Sequence, residues 1–106
     1  MTVSQLDVID FVAQKPDTNE IYFIIVDHLA WDAEGHIDML KSKVAMYVDY
    51  LHSDALLEAY PDAKEKNIVI ELLYGEQPTS HALDAFALFT TMGREMNFRF
   101  AHRLER

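Results

Sequence analysis

The sequence predicts a two-layer sandwich of the α+β or α/β kind: one four-stranded mixed sheet, β-β-α-β-α-β, with two long helices on one face. Three observations carry this expectation. Ile21 to Val26 is an unbroken apolar run of strand length, as a strand buried on both faces requires. Two long segments with apolar residues at three-and-four spacing follow it, with a second apolar run, Ile68 to Tyr74, between them. Each long amphipathic segment joins two strands, and crossovers of that kind imply parallel pairing through right-handed connections. Both helices then share a face, and the strand order 1-2-3-4 is expected.

In chain order, residues 7–13 read as the first strand, with Asp7 and Asp10 breaking into its apolar run. Lys15 to Asn19 is a turn, because Pro16 presets φ and Asp17 and Asn19 can bond to nearby backbone. A short loop before the strand at 21–26 makes an antiparallel hairpin. Asp32 is placed as a helix N-cap, with Glu34 near the positive end of the dipole, and a helix is predicted over 33–52. Its core stripe is Ile37, Leu40, Val44, Tyr47, Val48 and Leu51. Met39, Met46 and Tyr50 fall beside that stripe, so the apolar arc is wider than one sheet contact needs. Ser53 or Asp54 caps a short helix over 55–60, which Pro61 ends, and residues 61–67 connect to the strand at 68–74. Gly75 to Pro78 breaks that strand. Thr79 or Ser80 then caps a second long helix to Met92, with Gly93 as its C′ residue. The last strand spans 97–104, where Phe98, Phe100 and Leu104 face inward and Arg99 and Arg103 guard an edge.

The chain has 106 residues, half of them hydrophobic and a quarter charged, which suits one small globular domain over 1–106. It has no Cys, so disulfides, thiolate metal sites and cysteine nucleophiles are excluded. No apolar run approaches the roughly 20 residues of a membrane helix, and the first residues do not read as a signal peptide. A cytoplasmic location is expected, with no membrane partner. Eighteen acidic residues against nine basic ones give a net charge of −9. Four Arg gather at 94, 99, 103 and 106, too few to overcome repulsion from phosphate, so nucleic acid is not expected as a partner. An acidic surface suits a basic protein partner better.

Candidate chemistry gathers where the strand at 21–26 hands over to the first helix. Asp27, His28, Trp31, Asp32 and His36 are the candidate ligand-binding residues there, because strand-to-helix handovers are where α/β sheets commonly hold ligands. With Glu34 and Asp38 they offer nitrogen and oxygen donors that Zn, Mn or Fe accept. Their spacing matches no metal signature, and Asp32, Glu34 and Asp38 are also ordinary for a solvated first helical turn, so no metal and no cofactor are expected. No G-x-S-x-G context surrounds any Ser, and three Gly cannot build a phosphate-cradling loop, so no catalytic residue is assigned. Asp7, Asp10 and Glu71 could pair carboxylates across neighbouring strands, but each also fits a solvent-facing position. Trp31 reads first as an aromatic staple of the helix to the sheet and second as a ligand platform.

The stretches Asp7-Val8-Ile9-Asp10, Asp27-His28-Leu29-x-Trp31 and Tyr60-Pro61-Asp62-Ala63, with a long helix ending near Tyr50-Leu51 between them, resemble a family of small bacterial proteins catalogued as a domain of unknown function. The resemblance covers nearly the whole chain. It implies no activity. It implies that the handover motif and the Tyr60-Pro61 element belong to the shared design of the fold.

The functional expectation is a non-catalytic protein-binding module, an adaptor or neutralising protein, resting on the acidic surface and the wide apolar arc. The alternative is a small enzyme or metal-binding protein with its site around Asp27, His28, Trp31 and His36. A homodimer is also expected through Met39, Lys43, Met46 and Tyr50, unless the second long helix covers that strip within the chain.

Overall fold

A strand that is apolar on both faces must sit inside a sheet, and β2 (Glu20–Asp27) does so. The computed structural model describes residues 11–105 and places four strands in the order β1-β2-β3-β4. β1 (Phe11–Lys15) pairs antiparallel to β2, and β3 (Asn67–Tyr74) and β4 (Arg99–Leu104) extend the sheet in parallel. The predicted strand residues 7–10 lie outside the described residues. The hairpin turn is a 3-10 turn over Pro16–Thr18, closed by Asn19 in the left-handed conformation at φ 55°.

The long helices α1 (His36–Leu51) and α3 (Ser80–Met96) are the two crossovers, and both cover the same face of the sheet. On that face Ile21, Phe23, Ile25 and Asp27 stand beside Ile68, Ile70, Leu72 and Tyr74, and the last three of these beside Phe100, His102 and Leu104. The predicted stripe of α1 is the buried one: Ile37, Leu40, Val44, Tyr47 and Val48 enter the core, and Leu51 packs at its margin. Tyr47 also donates its hydroxyl hydrogen to the Ile24 carbonyl at 2.9 Å, tying the helix to the central strand.

The short helix α2 (Asp54–Ala59) leads into the Tyr60-Pro61-Asp62-Ala63 element, whose packing is specific. Ala63 is fully buried and its N–H donates to the Tyr60 carbonyl, while the Tyr60 ring meets the edge of Phe23 at 6.1 Å. Phe23 meets Tyr50 in the same manner at 6.0 Å. Met39, Met46 and Tyr50 are therefore half-buried against the core of their own chain, and Lys43 is fully buried. Burial, and secondarily Tyr60, pushes the Tyr50 phenol above its ordinary value.

Two helix ends differ from the sequence reading. α1 starts at His36 with Gly35, at φ 74°, as its N-cap residue, and the exposed Asp32 caps nothing. Tight turns occupy Trp31 to Gly35 instead, closed by Ala33 N–H to the Ala30 carbonyl and His36 N–H to the Ala33 carbonyl. α3 has the expected cap in Thr79, whose hydroxyl accepts from Ala82 N–H, but it runs through Gly93 to Met96. Asn97, at φ 65°, supplies the left-handed C-terminal residue. Gly93 is required for another reason: α3 passes so close to the start of β4 that a Cβ there would collide with the Phe98 carbonyl oxygen.

In an exposed helix Gly93→Ala would add about 1 kcal/mol of helix propensity. Here overpacking should win, and Gly93→Ala should lower stability by about 1–3 kcal/mol in a urea titration. A neutral or stabilised variant would show that α3 and β4 separate without cost.

Candidate functional site

The carboxyl ends of parallel strands are the usual location of sites in such sheets, and three strands end together here. Asp27 closes β2 directly opposite Tyr74 at the end of β3, which in turn lies opposite Leu104 of β4. The ladder continues one step further, from Glu105 N–H to the Tyr74 carbonyl at 2.7 Å.

Asp27 is fully buried, and a buried carboxylate needs donors. One oxygen, Oδ1, accepts from Leu29 N–H at 3.2 Å, and Oδ2 lies 2.5 Å from His36 Nε2. Nδ1 of the same imidazole lies 2.8 Å from the Ala30 carbonyl oxygen. The Trp31 indole stacks on the His36 ring at 4.5 Å and 15°, and its Nε1–H donates to the Glu76 carbonyl at 2.9 Å. Trp31 also meets Tyr74 and Phe86 edge-on at 5.7 and 5.6 Å. It therefore pins the first turn of α1 to β3, to the loop after β3 and to α3 at once.

The arrangement combines an orienting carboxylate with an imidazole, the pairing that general-base chemistry uses. Its geometry is closed. Both imidazole nitrogens are committed within the chain, both side chains have zero exposure, and Nε2 points at Asp27. Among the described residues no buried side-chain nitrogen or oxygen lacks a partner, and no group of three or more His, Asp or Glu is placed to hold a metal ion.

Of the candidate residues, Asp27, Trp31 and His36 come together. His28 does not join them; it is exposed and pairs with Glu105 at 3.1 Å on the rim of the open sheet face. Asp32, Glu34 and Asp38 are exposed. Glu71 lies on the open face 3.8 Å from Arg103, and Asp7 and Asp10 lie outside the described residues. The strand-end cluster also contains residues missed in the sequence. The Tyr74 ring stacks on Phe86 at 5.7 Å, and its hydroxyl lies 3.0 Å from His102 Nδ1. Burial pushes the Tyr74 phenol up and the His102 imidazole down from their ordinary values. The signal for Tyr74 was available: with strand order 1-2-3-4, the last residues of neighbouring parallel strands must adjoin.

A second polar group lies on the open face, near the opposite end of the strands. Arg99 donates to Glu20 Oε2 at 2.8 Å and to the Tyr22 hydroxyl at 3.0 Å, while Lys15 Nζ sits 4.3 Å from the centre of the Tyr22 ring. The Arg99 hydrogen bond first, then those from Thr18 and Tyr22, hold the Glu20 carboxyl at about 2, against an ordinary 4.5.

The model of a family of unknown function, DUF6572, matches residues 1–106. No curated protein and no solved structure matches the chain.

Two outcomes follow from this geometry. Trp31→Ala should cost about 3–5 kcal/mol in a denaturant titration, as truncation of a large core aromatic does. A loss below about 1 kcal/mol would mean that the stack on His36 carries no load. For Glu20, a folded value below the unfolded one gives a contribution complete above about pH 4.5 and lost as pH falls toward 2. Urea titrations from pH 5 to pH 2 should show this acid-side loss in wild type and less of it in Glu20→Gln; coincident pH profiles would refute the linkage.

Proposed function

The chain belongs to DUF6572, a family of unknown function, and we propose that it is a non-catalytic protein-binding module, an adaptor or neutralising protein of the cytoplasm. The observation that carries this reading is a contrast between the two faces of the sheet. On the helix side Asp27 and His36 are closed onto one another and lack exposure. On the open side Phe11 is 56% exposed and borders a cleft of about 690 Å³ with Ile24, Val26 and Leu73, rimmed by His28 and Glu105. A concave apolar surface with a polar rim is the form that protein interfaces take.

The partner is a protein that offers an apolar side chain to this cleft and a basic surface to a chain of net charge −9. Nucleic acid fits less well, because Arg99 and Arg103 already face Glu20 and Glu71. No helix among the described residues is long and apolar enough to cross a membrane. Catalysis or metal binding around Asp27, His28, Trp31 and His36 is the less favoured alternative, since His36 would have to leave both of its partners to act. Self-association through Met39, Met46 and Tyr50 is also less favoured, since these side chains already pack on their own core and Lys43 is buried among them.

Affinity capture from the native host with wild type and Phe11→Asp tests the reading, followed by binding of the purified partner. The expected result is a 1:1 complex that weakens with salt and by tenfold or more in Phe11→Asp. Equal binding of the purified partner to both proteins would remove the cleft from the interface. Stoichiometric metal in wild type that is lost in His28→Ala would favour the alternative, and a dimer by light scattering that Met46→Glu dissociates would favour self-association.

A further inference from the structure

The positions of the hydrogens at His36 follow from its partners. A carbonyl oxygen can only accept, so the 2.8 Å contact to Ala30 puts a hydrogen on Nδ1. At 2.5 Å, Nε2 and Asp27 Oδ2 cannot face each other with lone pairs alone, so a second hydrogen lies between them. The two side chains together therefore hold one proton more than a neutral imidazole and a free carboxylate would, and their net charge is zero. A pair of zero net charge can be buried completely, as this one is.

We propose that the Asp27–His36 pair is a proton-dependent latch that holds the segment from Ala30 to Gly35, and Trp31 within it, against the strand ends. With the proton in place, β2 and α1 are joined across the only turns that separate them. Without it, one imidazole nitrogen has no hydrogen to give, so either the buried carboxylate or the Ala30 carbonyl faces a lone pair, which is relieved by moving His36 away or admitting water. Trp31, 6% exposed and stacked on His36, moves with it.

The titratable groups around the pair come from several elements. Asp38 of α1 and His81 of α3 line the small cleft beside His36 and Trp31. Tyr74 of β3 lies against Trp31, and the His28–Glu105 pair lies at the same end of the sheet. Lys43 is buried further along α1. Asp27 is the one group bonded directly to His36 whose replacement by an isostere removes the shared proton. Asn at position 27 can still accept from Leu29 N–H and can donate its amide hydrogen to a neutral His36, so Asp27→Asn preserves the latch and abolishes its dependence on a proton.

The test compares wild type with Asp27→Asn. In the wild type at neutral pH, nitrogen-15 NMR should find Nδ1 of His36 protonated and Nε2 carrying or sharing the hydrogen with Asp27; an unprotonated Nδ1 would overturn the proposal. Above about pH 6.5, where an unfolded imidazole has lost its proton, a folded pair that keeps the shared hydrogen binds one proton more than the unfolded state, so stability falls as pH rises. Relative to Asp27→Asn, the unfolding equilibrium constant of wild type should rise about tenfold per pH unit until the folded pair gives up its proton. The emission of Trp31, the only Trp in the chain, should then shift to the red in wild type alone. Parallel pH profiles for the two proteins would overturn the proposal. If Asp27→Asn does not fold, the protonation of His36 in the wild type decides.

Discussion

A carboxylate at the end of a central strand, sealed from water, has to be met by donors, and the way Asp27 is met organises one whole end of this molecule. His36 reaches back to it and to the Ala30 carbonyl, which forces the intervening chain into tight turns and places Gly35 at positive φ. The first turn of α1 is thereby set by side-chain bonding to the sheet, in place of an ordinary N-cap. Trp31 fills the space this creates, and Tyr74, Phe86 and His102 stack outward from it to the edge strand. Loss of the first contact would leave the rest of the aromatic stack without its end wall.

The other consequence of the topology is a sheet with two unlike faces. Helices cover one face, and the second is divided. Toward β3 and β4, cross-strand pairs of Glu20 with Arg99 and Glu71 with Arg103 keep charges compensated. Toward β1, Phe11 and Ile24 stand opposite each other with Val26 and Leu73 beside them. The surface is thus polar where it is self-sufficient and apolar where it is concave.

The layer order, strand order and core stripe of α1 were legible in the sequence because they depend on periodicity and on the handedness of crossovers. The candidate site was legible only in its members. Asp27, Trp31 and His36 stand close together in the chain, but nothing in their spacing shows that imidazole and carboxylate bond to each other and not to a ligand. That depends on turns at Ala30 to Gly35, of which a capping rule applied to Asp32 assigns Ala33 to Gly35 to the helix. Lys43 looked like part of an exposed strip because a lysine ordinarily carries its charge to water, whereas here the whole side chain is buried. Gly93 suits a helix end by conformational freedom, whereas its constraint is the approach of the Phe98 carbonyl, a contact no local rule contains.

The parallel pairing of β2 with β3, from Glu20 opposite Asn67 to Asp27 opposite Tyr74, also governs the order in which the chain can assemble. The β1–β2 hairpin closes through a turn of a few residues, but β2 meets its other neighbour only after α1, α2 and the Tyr60 element have been traversed. Closing so long a loop costs entropy before any strand contact repays it. During synthesis on the ribosome, β2 therefore emerges well before the strand that will cover its second edge. An apolar segment of high β-propensity with an unpaired edge is what chaperones bind and what aggregates recruit. Like charge on an acidic chain, −9 when complete, opposes association between copies.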